Sequence, residues 1–156
     1  MKNTNTTPLL ISLKPDYADL VFSGLKTAEL RRRISEGIQD RDVYVYVSSP
    51  VKELRGGFRV GQVWAGSPSQ IWSTVRELAG VNKRTFDNYY SGQKIAFALE
   101  IVDVWEYAYP RSLEQLRAQF PNFVTPQSYR YARAEEVRSF RALKKMPTTS
   151  SRRRAV

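Results

Sequence analysis

Apolar residues along the chain follow two periods, and each switch between them predicts a new element. Pro8 to Lys14 reads as a strand. Pro15 then suits the first position of a helix and Asp16 its first turn. Ala18, Val21 and Phe22 make a helical stripe that Gly24 stops. From Thr27 to Arg33 the period falls to two. Ala28 and Leu30 point one way, while Thr27, Glu29, Arg31 and Arg33 point the other. A polar loop with Gly37 leads to a strand over Asp42–Ser48, with Val43, Val45 and Val47 on one face and Tyr44 and Tyr46 on the other. The next strand is predicted over Gly57–Trp64, with Phe58, Val60 and Trp64 sharing a face. Gly57 and Gly61 mark bends or bulges of the kind a small barrel needs.

Helices follow. Ser67-Pro68-Ser69-Gln70 combines a capping box with proline at the first helical position. Ile71, Trp72, Val75 and Leu78 form the stripe behind it, ended by Gly80. Asn82 caps a second helix with Phe86, Tyr89 and Tyr90 on its apolar side, closed by Gly92. Lys94–Glu106 is the longest strand, and a turn is predicted at Pro110. Ser112 caps another helix, Phe120–Tyr131 reads as irregular, and a last helix spans about Ala134 to Leu143. Short alternating strands with few helices between them predict an α+β domain on a small curved sheet or barrel, not a doubly wound parallel sheet. The boundaries are a flexible N-terminus over 1–7, a domain over 8–143 with its core in 9–106 and a helical extension over 111–143, and a basic disordered tail over 144–156.

Composition narrows the chemistry. The chain of 156 residues has no cysteine and no histidine. Disulfides, thiol nucleophiles, the usual zinc sites and histidine triads are excluded, so no metal or cofactor is expected. Catalysis would fall to Lys, Asp/Glu, Tyr, Ser/Thr or Arg. The net charge of +10 points towards polyanions. Residues 141–156 hold six cations and no acid, which leaves +4 for the rest. No signal peptide or membrane-length apolar run is visible, so a cytoplasmic protein without membrane contact, most simply a monomer, is expected.

Lys26, Glu29 and Arg31 fall within six residues, where helix gives way to strand. They are either solvated charges on a half-exposed strand or the polar floor of a ligand cleft. In a cleft, Glu29 can accept from an amine or hydroxyl. Arg31 and Lys14 can meet phosphates, and Tyr17 or Tyr46 can stack on a base. Lys26, if desolvated, is the candidate base or nucleophile, although an ion pair with Glu29 holds it as ammonium. Ser48 and Ser49 can donate hydroxyls or simply end a strand. Gln127, Ser128 and Tyr129 form either a packed loop or a lid. Arg32 and Arg33 read as a solvated or phosphate-facing edge.

Ser12-Leu13-Lys14-Pro15-x-Tyr17, followed by Gly24-x-Lys26-x-x-Glu29-x-Arg31, resembles the signature of ASCH domains, small β-barrels of the PUA-like superfamily. The resemblance covers about residues 9–106, and Pro126–Tyr131 is similar to the closing segment of longer members. It implies a pseudo-barrel whose Lys/Glu/Arg cleft faces RNA or a nucleotide-like ligand. Some members are acetylcytidine hydrolases, some are described as ribonucleases, and others are RNA-binding modules. The acetylcytidine hydrolases carry threonine where this chain has Glu29. The expected function is therefore an RNA-binding module reading a nucleotide through Lys14, Tyr17, Lys26, Glu29, Arg31, Tyr46, Ser48, Gln127 and Tyr129. The alternative is a metal-independent hydrolase, either a modified-nucleoside amidohydrolase or a ribonuclease, with Lys26 and Glu29 as its acid–base pair. A protein-interaction domain whose tail merely adheres to nucleic acid is the third reading.

Overall fold

A computed structural model describes residues 6–147. Most of the expected flexible N-terminus and of the basic tail lies outside the described residues. Among the described residues, six strands form one sheet in the order β2-β5-β4-β3-β1-β6. They are β1 (Leu9–Leu13), β2 (Ala28–Arg31), β3 (Asp42–Val47), β4 (Glu53–Gly66), β5 (Ala96–Ser112) and β6 (Tyr129–Tyr131). Of these strands, β1 and β3 pair in parallel and the other pairs are antiparallel. Five helices among the described residues cover the sheet: α1 (Pro15–Phe22), α2 (Pro68–Val75), α3 (Lys83–Tyr89), α4 (Leu113–Gln119) and α5 (Ala134–Ala142). This is the α+β domain on a curved sheet expected from the strand pattern, and its half-barrel is the PUA-like form that the resemblance implies.

The period-two faces sort the core. Val43, Val45 and Val47 join Leu9, Ile11, Leu13 and the inner side of α1 in one cluster. Tyr44 and Tyr46, on the other face of β3, pack with α4 and α5. Ala28 and Leu30 of β2 turn into a third cluster, under α2 and α3. This third packing frees the opposite face of β2, with Glu29 and Arg31, for the inside of the curl.

Two strands are longer than their sequence suggests. β4 starts at Glu53 and absorbs three register shifts against β5. The shift between Val60 and Val63 turns Trp64 away from Phe58 and Val60, so it packs under α2 and α3 instead of sharing their face. A Cβ at Gly56 would overlap the Trp105 carbonyl and the Phe22 ring, and one at Gly57 would overlap the Trp105 indole. Glycine is required there by this close approach. β5 runs through Pro110 to Ser112, where a turn was expected. Edge positions tolerate proline, because a proline that faces no acceptor loses no ladder bond. Ser112 caps α4 as expected, and Gln115 completes a capping box with it. Within the stretch expected to be irregular, β6 pairs with β1. After α5 the chain returns to β5: Ala108 N–H donates to the Lys144 carbonyl and Met146 N–H to that of Glu106.

Candidate functional site: a basic cleft at the sheet seam

β2 and β6 are the two edges of the sheet, and side chains bridge them. Arg31 Nη1–H donates to Ser128 Oγ at 2.8 Å, and Ser35 and Tyr129 share a hydrogen bond between hydroxyls at 2.8 Å. A fully closed barrel would fill this seam with backbone ladder. Here it stays open as a cleft of about 1220 Å³. That exceeds the roughly 300–1,000 Å³ of sites for single small molecules and suits a segment of polymer.

All nine residues singled out from the sequence line this one cleft. Lys26, Glu29 and Arg31 are its floor, with exposures of 2%, 6% and 7%. They are therefore not solvated charges on a half-exposed strand. Three backbone features set the floor. Gly24, at positive φ, ends α1. Lys26 N–H then donates to the Leu20 carbonyl, and the N–H groups of Thr27 and Ala28 donate to that of Leu78. The chain enters β2 with Lys26 wedged between the end of α1 and the turn after α2.

The floor is tied loosely. Lys26 Nζ donates to the Ala79 carbonyl at 2.5 Å and lies 3.8 Å from Glu29 Oε1. Its ammonium also sits 5.4 Å from the centre of the Tyr17 ring. Glu29 Oε1 accepts from Leu30 N–H at 3.1 Å, and Oε2 meets Arg31 Nη2 at 3.4 Å. A buried carboxylate usually gathers shorter, charge-assisted bonds than these. Arg31 Nε is buried and has no hydrogen-bond partner among the described residues. Leaving such a donor unsatisfied costs about 1–3 kcal/mol, which a ligand oxygen would recover.

Burial pulls the Lys26 ammonium below the usual lysine value; Glu29 opposes that shift and Arg31 adds to it. Burial raises the Tyr46 phenol, with Arg117 opposing, and raises the Tyr89 phenol, with Arg31 opposing. Six of the lining residues are Lys or Arg, and Glu29 is the one carboxylate among them, so the cleft is electropositive.

The walls come from separate parts of the chain. Lys14 and Tyr17 lie at the start of α1, and Tyr46 and Ser48 at the end of β3. Gln127, Ser128 and Tyr129 are anchored to β1, where Ser12 N–H donates to the Ser128 carbonyl and Ser12 Oγ–H to that of Pro126. Arg32 Nε–H donates to the Tyr89 carbonyl, with its guanidinium 4.4 Å from the centre of that ring. Of the helical aromatics, Phe86 and Tyr90 are core, whereas Tyr89 reaches the cleft. Sequence reasoning missed Lys52, which lines the cleft from a left-handed backbone position at φ 55°. A lysine rarely adopts that conformation, and no pattern in its neighbours signals it. Asn88 and Thr85 were also missed; three apart on α3, they share the face that meets the cleft.

A family model for the ASCH domain matches residues 11–117. An ASCH domain-containing ribonuclease of Zymomonas mobilis is 31% identical over 134 residues, 86% of this chain and 90% of that protein. The crystal structure of ASCH from Zymomonas mobilis has a TM-score of 0.83 at 28% identity, covering 90% of this chain and 98% of that one. The N-terminal domain of Staphylothermus marinus McrB has a TM-score of 0.58 at 13% identity, with 86% and 93% of the two chains covered, and shows the shared fold alone. Among the described residues, no helix is long and apolar enough to cross a membrane.

Proposed function

The chain belongs to the ASCH domain family, and on that footing we propose that it binds single-stranded RNA in the seam cleft and cleaves it there. The observation that carries the reading is the floor. Two buried cations flank one buried carboxylate, and a free guanidinium N–H sits under a cleft large enough for a run of nucleotides. The naming of the Zymomonas mobilis relative as a ribonuclease supports RNA as substrate.

In this reading Arg31 grips a phosphate and stabilises the charge that builds on its oxygens. The 2′-oxygen attacks the adjacent phosphorus, its proton passes to a base, and the 5′-oxygen leaves with a proton from an acid. Attack and departure lie in line, so base and acid stand on opposite sides of the phosphorus. Lys26 and Glu29 are 3.8 Å apart and sit on one side. They therefore serve a single proton transfer, with Glu29 accepting and Lys26 holding its charge. The other transfer falls to the Tyr46, Ser48 and Lys52 wall.

One further observation favours binding without turnover: Lys26 Nζ spends a proton on the Ala79 carbonyl and is held as a donor. Incubating the pure protein with single-stranded RNA and, separately, with acetylated cytidine distinguishes the readings. We expect RNA cleavage and no acetate release. Intact RNA that is still bound would leave the binding module, and acetate release would replace the substrate. Binding should also fall steeply with salt, with a logarithmic slope of about −0.7 per phosphate contacted. A salt-independent affinity contradicts phosphate recognition.

A further inference from the structure

We propose that a second pocket, at the far end of β3 from the cleft, takes a nucleotide of RNA lying outside the cleft. The protein then grips a longer stretch of chain than it acts on. The identity of the polymer rests on the RNA reading above. Tyr44 and Tyr46 share one face of β3; Tyr46 lines the cleft and Tyr44 lines this second pocket. At strand rise, Asp42 and Val47 lie about 17 Å apart. The second pocket measures about 630 Å³, within the range of sites for a single small ligand.

Its chemistry is that of a single-strand contact, an aromatic floor under a cationic rim. Tyr44, Tyr107 and Phe140 are buried beneath it. The indole N–H of Trp105 is buried beside the Tyr107 hydroxyl without a well-formed hydrogen bond to it, and an acceptor on an entering base would compete with that hydroxyl. Arg59, Arg141 and Lys145 face Asp42 and Asp103, and Arg59 is already paired with Asp103. Lys145 is not a stray surface lysine. The backbone bonds of Lys144 and Met146 to β5 fix it there, with its ammonium 5.0 Å from the centre of the Trp105 ring.

The test uses two non-cleavable 2′-O-methyl RNAs, a tetranucleotide and one of about sixteen nucleotides. The longer RNA is expected to bind the wild type at least about tenfold more tightly. Arg141→Glu with Lys145→Glu, both on exposed residues, should cost about tenfold with the longer RNA. It should change tetranucleotide affinity less than about twofold, and the salt slope should flatten by about 1.4, two phosphates' worth. Arg76→Glu, an exposed cation that lines neither pocket, is the charge control. An equal loss in the control variant, or equal losses with the two RNAs, overturns the proposal. Photo-cross-linking with 5-bromouridine in the longer RNA should mark Trp105, the partly exposed ring of this pocket; adducts confined to the cleft also overturn it. A wild type that binds neither RNA removes the cleft reading as well, whereas a protein that binds both equally removes only the second pocket.

Discussion

Arg31→Ala is expected to slow cleavage of single-stranded RNA by about a hundredfold, with the fold retained. The magnitude follows from removing one preorganised donor aimed at developing charge, which costs about 10²–10³ in turnover. The side chain connects three things at once. It meets Glu29 at 3.4 Å, bridges to Ser128 at 2.8 Å and keeps Nε unspent. Only the unspent donor is proposed to touch substrate, and Arg31→Lys separates it from the rest. Lysine keeps the charge beside Glu29 but lacks the planar fork, so it should recover the melting temperature and little of the rate. If both variants cleave RNA at the wild-type rate, Arg31 is only a strut across the seam. A rate loss that tracked a fallen melting temperature would say the same.

Glu136→Ala is expected to destabilise the protein by about 3 kcal/mol, a fall of roughly 6–12 °C in melting temperature for a chain of this size. Glu136 is 1% exposed at the start of α5. Both its oxygens take Arg130, at 2.9 and 2.8 Å, and Oε1 also accepts Arg133 N–H at 2.7 Å. Alanine leaves the partly buried Arg130 guanidinium without its counter-charge, held only by the Val124 and Tyr131 carbonyls. Burial tends to raise the Glu136 carboxyl, but the hydrogen bonds and charges of Arg130 and Arg133 win and hold it below its ordinary value of 4.5. A carboxyl depressed in the folded state stabilises above its unfolded pKa and loses that contribution as pH falls through the folded one. The stability gap between wild type and Glu136→Gln should therefore be constant above about pH 5 and close in more acid solution. A gap that widened on acidification would contradict the pairing. Arg130 lies on β6 beside Ser128 and Tyr129, so the same variant should also weaken RNA binding by loosening that wall.

The cleft floor could be read from sequence because β2 is short and strictly alternating. Once Ala28 and Leu30 are given to the core, Glu29 and Arg31 must share the other face, and Gly24 fixes where Lys26 leaves the helix. The Tyr44/Tyr46 and Val43/Val45/Val47 division of β3 was legible for the same reason. What failed to show depends on chain geometry instead of period. Lys52 reaches the cleft from a left-handed turn that its type does not announce. The run of β5 through Pro110 depends on which neighbour that residue faces. The displacement of Trp64 comes from a bulge, where one extra residue reverses every face beyond it. The Arg130–Glu136 pair joins a strand to a helix across a turn and follows no repeat.

The most direct measurement is a crystal structure of the protein with a 2′-O-methyl RNA dinucleotide. A phosphate oxygen should lie within about 3 Å of Arg31 Nε, over the Lys26–Glu29 pair and facing the Tyr46 wall. A dinucleotide seated elsewhere, with Arg31 Nε bonded to water or to the protein itself, would contradict the assignment of the seam as the place where RNA is held.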